Sequence, residues 1–250
     1  MAIATPVLVQ SWFDNVNHQG GSFHTNQADS AGVTEGNAAV ALVAGRHYYA
    51  FFAAHASTLG TLTSLVFDSG GPDQVSFTKV TGAGVQYDTT KDVEVWELEC
   101  VASTGASAFQ PTFSVTPSAR IFILCYVTGH DTSGTNVQVP TATGTSAAPA
   151  VTFAAFGATD NLTLFFPAFS TSTGSFTATE GRTELADRND NERQTLGVFY
   201  QNPHGSDTSV GATASASDTW AAIGIEVKAA AGGATQPPRT MHQARLRRAD

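Results

Sequence analysis

The sequence contains very little positive charge. Only 12 of its 250 residues are lysine or arginine, against 21 aspartates and glutamates, and the formal net charge is −9. Proteins that bind nucleic acid neutralise its phosphates with clusters of lysine and arginine. We therefore expect no nucleic acid among the partners of this chain.

Long hydrophobic runs are also missing. No stretch reaches the roughly 18 consecutive apolar residues that indicate a membrane-spanning helix. The first residues lack the charged and apolar regions of a signal peptide. We expect no membrane span, and synthesis in a cytoplasm without classical export.

Catalytic and cofactor motifs are absent as well. The sequence has no G-x-S-x-G, H-E-x-x-H or C-x-x-C motif and no phosphate-binding P-loop. Its two cysteines, Cys100 and Cys125, lie in apolar, strand-like segments. Buried free thiols are the favoured interpretation of such cysteines, although the spacing also permits a disulfide. We predict that the protein is not an enzyme and needs no cofactor.

What the chain does contain is typical of β-structure. Its 33 threonines and 20 serines outnumber all charged residues, and 23 glycines and 10 prolines punctuate short apolar or alternating segments. Helical periodicity is nearly absent, whereas about a dozen segments read as strands. We predict an all-β fold: a two-sheet antiparallel β-sandwich, jelly-roll-like, with an extended C-terminal tail.

Two segments make specific structural predictions. Residues 121–127 are apolar on both faces, which predicts a central strand covered on each side. In residues 93–100, alternation places Trp96, Leu98 and Cys100 on one face and Glu97 and Glu99 on the other. We expect the glutamate face to be in contact with solvent.

The composition changes sharply after residue 228. We predict a sandwich domain over residues 1–228, an Ala/Gly/Pro linker over 229–238 and a basic arm over 239–250. The chain through residue 238 carries a net charge of −12, whereas the arm carries +3. Such an arm is either a solvated tail or a docking element, and for docking the candidate residues are Arg239, Arg245, Arg247 and Arg248.

Acidic residues give two candidate sites. Glu97 and Glu99 have a spacing of about 6.5 Å along one strand face, which suits paired glycosidase carboxylates. Solubility and protection of a strand edge are the favoured explanation of that pair. The second candidate is a calcium site formed by Asp187, Asn189, Asp190 and Glu192. This segment lacks the glycine and spacing of an EF-hand loop, so a polar loop tip is favoured there.

Histidines and aromatic residues give weaker signals. His18 and His24 would share a metal ion only if their loop folded back, and His47 and His55 lie too far apart along one strand. Exposed tryptophans stack on sugar rings. However, the three tryptophans fall within strand patterns and are predicted core residues: Trp12, Trp96 and Trp220.

Four segments together resemble a known structural module. They are VEVWEL at 93–98, ARIFILCYVTGHD at 119–131, TSAAPAVT at 145–152 and SDTWAAIGIEVK at 217–228. The pattern resembles a jelly-roll-like sandwich module of tailed-bacteriophage virion proteins and some bacterial surface proteins, over residues 38–228. It offers no catalytic residues to transfer, and the basic arm lies outside it.

The resemblance implies a structural role at a virion surface. A multicopy capsid decoration protein, docked through its C-terminal arm on the major capsid protein, is the favoured interpretation. The alternatives are a minor tail or fibre protein, contacting tail proteins, and a carbohydrate-binding adhesin module, contacting host glycans. The resemblance also implies a homo-oligomer, which would be a trimer on a capsid three-fold axis.

Overall fold

The structure, a computed structural model, is all-β. It describes residues 3–14, 27–28, 34–35, 39–56, 58, 60–134, 136–170, 175–179, 181–190 and 193–231. These residues contain no helix, and every strand pairing among them is antiparallel. The predicted β-sandwich is confirmed. In this part of the chain, no helix is long and apolar enough to cross a membrane.

Two large sheets form the body of the sandwich. The first has seven strands, in the order β1 (Val7–Asp14), β11 (Ala119–Val127), β5 (Arg46–His55), β8 (Lys91–Cys100), β7 (Val75–Asp88), β6 (Leu62–Phe67) and β10 (Phe109–Phe113). The second has six: β12 (Asn136–Gln138), β20 (Asp218–Val227), β15 (Leu162–Phe169), β18 (Thr195–Gln201) and β17 (Thr183–Asn189) in order, with β13 (Thr141–Ser146) also paired to β20.

Smaller sheets complete the fold. Three strands, β14 (Ala150–Thr152), β19 (Ser209–Ala214) and β16 (Phe176–Ala178), form a third sheet. Two short pairs join β2 (Gln27–Ala28) to β3 (Thr34–Glu35), and β4 (Val40–Ala41) to β9 (Ala106–Ser107).

The main hydrophobic core lies between the two large sheets. Strands β5, β8 and β11 contribute alternate side chains from one side, and β15, β18 and β20 contribute from the other. The rings of Phe51 and Phe166 stack across this interface with their centroids 3.6 Å apart. Large aromatic side chains of this kind contribute most of the buried apolar area in a sandwich.

Each large sheet also buries its outer face. The seven-stranded sheet curls so that β6 and β10 cover the other side of β5, β8 and β11. Phe109 packs on Phe122 in the second core that this encloses, which we call the curl. The three-stranded sheet covers the outer face of the six-stranded sheet and encloses a third core around Phe165 and Trp220. Because three cores stack in this way, strands β5, β11, β15, β18 and β20 bury apolar side chains on both faces.

The prediction for residues 121–127 is therefore confirmed. Ile121, Ile123 and Cys125 face the main core, and Phe122 and Leu124 face the curl.

The two cysteines are buried free thiols, as favoured from the sequence. They lie in different cores, since Cys125 faces the main core and Cys100 faces the curl. Burial raises the pKa of both thiols. Thiols of this kind are packing groups rather than nucleophiles.

The sandwich continues slightly past the predicted boundary at residue 228. His130 and Ala229 form a β-bridge, and the Ala230 N–H donates to the Gly129 carbonyl at 2.9 Å. Residues 232–250 lie outside the described residues, so the basic arm and most of the linker stay predictions.

Candidate functional site

A cluster of histidine and glutamate side chains lies at one end of the main core. Strand β5 begins there and carries His47, β8 ends there and carries Glu97 and Glu99, and the chain leaving β11 carries His130. Antiparallel neighbours bring the start of one strand beside the end of the next. His47 is accordingly directly opposite Glu99 in the β5–β8 ladder.

The cluster is centred on the His47 ring, which lies between two carboxylates. Its Nδ1 atom is 2.9 Å from Glu99 Oε2, and its Nε2 atom is 2.9 Å from Glu97 Oε2. His130 Nε2 lies 2.6 Å from the same Glu99 oxygen. The potential ligand atoms of His47, Glu99 and His130 all lie within 4.8 Å of one another.

Two further residues extend the cluster toward the second sheet. The Asn136 side chain, on β12, donates to Glu97 Oε2 at 2.7 Å and accepts a hydrogen bond from the Tyr49 hydroxyl at 2.7 Å. Burial raises the pKa of Tyr49 well above its usual value, and the nearby Glu97 carboxylate adds to that effect. The phenol therefore stays protonated, and its hydrogen bond fixes the orientation of the Asn136 amide.

Burial divides the cluster into fixed and accessible members. The side chains of His47 and His130 are 4% and 2% exposed, whereas those of Glu97 and Glu99 are 22% and 29% exposed. The histidines are therefore held by packing, and the carboxylates can be reached from solvent.

A cavity of about 520 Å³ adjoins the cluster. Its wall includes His47 and Glu97 from the first sheet and Asn136 from the second. Val80 and Thr81 on β7, and residues 137–139 after Asn136, complete the two sides. The site is thus an open cleft at the end of the sandwich.

The structure corrects the sequence interpretation of Glu97 and Glu99. Trp96 and Cys100 do share one buried face, as predicted, with Leu98 packed against them. The glutamates, however, continue the row of Val93 and Val95, which faces the main core. They end that row at the rim between the sheets, where histidines contact them and their side chains stay 22% and 29% exposed, so the predicted contact with solvent is only partial.

The sequence did contain a signal for this cluster. In both β5 and β8 the core-facing row changes from apolar to polar, at His47 in one strand and at Glu97 in the other. The changes coincide in space only if β5 pairs antiparallel with β8. Because the two strands are separated by β6 and β7 along the chain, that pairing could not be inferred from local pattern.

Two of the four calcium candidates, Asp187 and Asp190, accept hydrogen bonds from main-chain N–H groups. Asp187 Oδ2 accepts the Phe176 N–H at 2.8 Å, and burial raises the pKa of Asp187 to about 6. Asp190 Oδ1 accepts the N–H groups of Arg193 and Gln194 at 2.6 and 2.9 Å. Asn189 ends β17 opposite Thr195. Asp187 and Asn189 thus lie in a strand, so the favoured interpretation as a polar loop tip is wrong for them. Glu192 lies outside the described residues, and nothing here tests calcium binding by this segment.

A second polar cluster joins His55, Ser118 and Arg193. His55 Nδ1 lies 2.8 Å from Ser118 Oγ and 2.9 Å from Arg193 Nη1. Arginine can only donate, so His55 Nδ1 accepts this proton. Burial, reinforced by the Arg193 charge, lowers the pKa of His55. A ring nitrogen already occupied by arginine is poorly placed to activate the serine as a nucleophile.

The remaining predicted residues divide between the core and the part of the chain that is not described. Trp96 and Trp220 are buried, as predicted, so neither offers a ring for sugar stacking. The Trp12 side chain, His18, His24 and the four arginines of the arm lie outside the described residues: Arg239, Arg245, Arg247 and Arg248.

No family model, curated protein or solved structure matches the chain.

Proposed function

We propose that this chain is a bacteriophage virion structural protein, a multicopy capsid decoration protein that docks through residues 239–250. The proposal describes a non-catalytic role at the particle surface. The acidic sandwich projects outward, and the arginines of the basic arm contact the capsid.

The positions of the segments that resemble the virion module support this proposal. Strands β8 and β11 are internal strands of the seven-stranded sheet, and β20 is an internal strand of the six-stranded sheet. Three of the four segments of the resemblance therefore include strands that build the main core, and the fourth, 145–152, includes β14 of the three-stranded sheet. The resemblance concerns the framework of the sandwich, which is the part that a structural protein needs.

The strand surfaces also suit a protein present in many neighbouring copies. The exposed residues of β13 are all threonines: Thr141, Thr143 and Thr145. Strand β7 exposes Ser76, Thr78 and Thr81, with Lys79 as its one exposed charge. Short uncharged side chains keep a surface hydrated without like-charge repulsion between adjacent copies.

The observation that carries the proposal is the division of charge along the chain. The chain through residue 238 has a net charge of −12, and residues 239–250 have +3. A short segment of opposite sign favours attachment to an acidic surface.

Incorporation into particles tests the docking role. Phage particles that lack the protein are mixed with the purified full-length chain, and bound copies are counted by quantitative mass spectrometry. Replacing Arg239, Arg245, Arg247 and Arg248 with serine should weaken binding about tenfold or more, since each exposed ion pair contributes up to about 1 kcal/mol.

Replacing the same four arginines with lysine is the matched control, because it keeps the charge. This variant should bind nearly as the original chain does, and its binding should weaken as salt is raised. If the variant with four serines binds to the particles as tightly as the original chain, the docking role is overturned. Hundreds of copies in native virions are expected; a few dozen at most would assign the protein to the tail, and none would overturn the virion role.

A further inference from the structure

The geometry points to a binding site for a divalent transition-metal ion, best matched by Zn²⁺, formed by His47, Glu99 and His130. The inference is independent of the proposed virion role. It rests on the donor set, the charge balance, the group behind His47 and the access to the site.

The donor set is the first argument. Two imidazole nitrogens and one carboxylate oxygen converge within 4.8 Å. Mixed nitrogen and oxygen donors favour zinc and its neighbours over calcium and magnesium, which prefer oxygen alone. Three protein ligands leave a fourth tetrahedral position for a water molecule.

The charge balance is the second argument. Glu97 and Glu99 bring two carboxylates to the cluster, and each has an oxygen 2.9 Å from a nitrogen of His47. A divalent ion held by neutral histidines would match the charge of these two carboxylates. The partners of these glutamates among the described residues are histidine and asparagine, with no lysine or arginine.

The group behind His47 is the third argument. A metal-binding histidine usually donates its other N–H to a carboxylate, which fixes the ring. With Nδ1 on the ion, His47 donates from Nε2 to Glu97, and Glu97 is held by Asn136, which Tyr49 orients. This row of contacts crosses from one sheet to the other and sets the direction of the ring.

The ligand side chains must move slightly to hold an ion. Tetrahedral ligands about 2.0 to 2.1 Å from zinc lie roughly 3.3 Å apart. The present separations at Glu99 Oε2 are 2.9 and 2.6 Å, so the ligands must open by a few tenths of an ångström or more. Glu99 is the partly exposed ligand and adjusts most readily. The two histidine nitrogens, which lie within 4.8 Å of each other, must also come within about 4.2 Å to bind the same ion, since each zinc–nitrogen bond is about 2.1 Å long.

A bound metal ion would stabilise one end of the sandwich by linking its two sheets. His130 belongs to the connection between the two sheets, and its backbone bridges to Ala229 just after β20. The ion would therefore tie β5 and β8 to the point where the chain leaves the second sheet.

Metal titration of the full chain tests the site. The protein is stripped with a chelator and titrated with ZnCl₂ in a calorimeter, and CoCl₂ and CaCl₂ serve as further probes. One Zn²⁺ per chain should bind and raise the midpoint of thermal unfolding. Co²⁺ should give the visible absorption of a tetrahedral site, and Ca²⁺ should compete poorly.

Two variants test proposed ligands, and a third tests the carboxylate that positions His47. Glu99→Gln and His130→Gln should each weaken Zn²⁺ binding at least about 100-fold, and Glu97→Gln about 10- to 100-fold, because Glu97 positions His47 rather than touching the ion. His204→Gln is the matched control, since it removes a histidine outside the cluster and should leave binding unchanged.

Either of two results would exclude the metal site. A stripped wild-type chain that binds neither Zn²⁺ nor Co²⁺, or a folded Glu99→Gln variant that binds Zn²⁺ as tightly as the wild type, excludes it. Glu99 is partly exposed, so this variant should fold even if His130→Gln does not. Circular dichroism of each variant confirms the fold before titration.

Discussion

At the scale of single residues, a buried acid can be stabilised without lysine or arginine. Glu226 is fully buried, and its carboxylate accepts hydrogen bonds from the Asn161 and Gln138 side-chain amides at 2.6 Å each. Glu97 is likewise matched by histidine and asparagine. Neutral donors satisfy such oxygens without burying a second charge, which avoids part of the desolvation cost of an ion pair.

One buried pair of acids makes stability depend on pH. Asp92 lies beside Glu94, which accepts a hydrogen bond from Trp96 Nε1 at 3.0 Å and pairs with Lys79 at 3.1 Å. Burial, followed by the charge of Glu94 and a hydrogen bond with it, raises the pKa of Asp92 to about 8. The folded protein therefore keeps a proton on Asp92 that the unfolded chain loses near pH 4.

We predict that Asp92→Asn flattens the pH dependence of the free energy of unfolding. With a raised folded pKa, the folded state binds more protons between about pH 4 and pH 8, so the wild type loses stability as pH rises through that window. The variant should lack this loss, on the order of a few kcal/mol. Urea unfolding at several pH values measures the difference.

The exposed Asp160→Asn is a control with the same change in charge. Its curve should follow that of the wild type. Parallel curves for Asp92→Asn and the wild type would contradict the buried, protonated state of Asp92.

At the scale of strands, β20 packs closely against the third sheet. A Cβ atom on Gly224 would lie 2.6 Å from Phe153 Cζ and 2.8 Å from Val151 Cγ2. Both side chains are buried in the third core. Glycine at this position thus allows the three-stranded sheet to rest directly on β20.

We predict that Gly224→Ala destabilises the fold by about 1 to 3 kcal/mol, because an added methyl group in a packed core displaces its neighbours. Gly134→Ala is the control, since a Cβ there would meet nothing within 4 Å. Chemical unfolding of both variants checks the comparison. Equal stabilities for the two would show that the third sheet can shift to accommodate the methyl group.

How far the sequence predicts these elements depends on the range of the interactions. Alternation within β8 and β11 is local, so the buried face with Trp96 and the two-sided apolar strand around Ile123 were predictable. The cover over that strand was not, because β6 and β10 belong to the same curled sheet. The His47–Glu99 contact depends on the β5–β8 register, which local patterns leave open.

At the scale of the whole molecule, three cores share two sheets. The main core is bounded by both large sheets, the curl shares β5, β8 and β11 with it, and the third core shares β15, β18 and β20. A strand with core on both faces transmits a packing defect from one layer to the next. The sandwich should therefore unfold as one cooperative unit.

Two tryptophans on opposite sides of the molecule allow that prediction to be tested. Trp96 lies in the curl and Trp220 in the third core, whereas Phe166 stacks on Phe51 in the main core between them. We predict that Phe166→Ala destabilises the protein by about 3 to 5 kcal/mol, the usual cost of removing a buried phenylalanine ring.

The decrease should be the same whichever tryptophan reports it. Fluorescence-detected urea unfolding would be followed in two backgrounds, one retaining only Trp96 and one retaining only Trp220, with the other tryptophans replaced by phenylalanine. Each background without the Phe166 change is its own reference. Equal shifts of the two midpoints are expected, because the main core joins the outer layers. A midpoint that moves for one tryptophan alone would mean that the outer layers unfold separately.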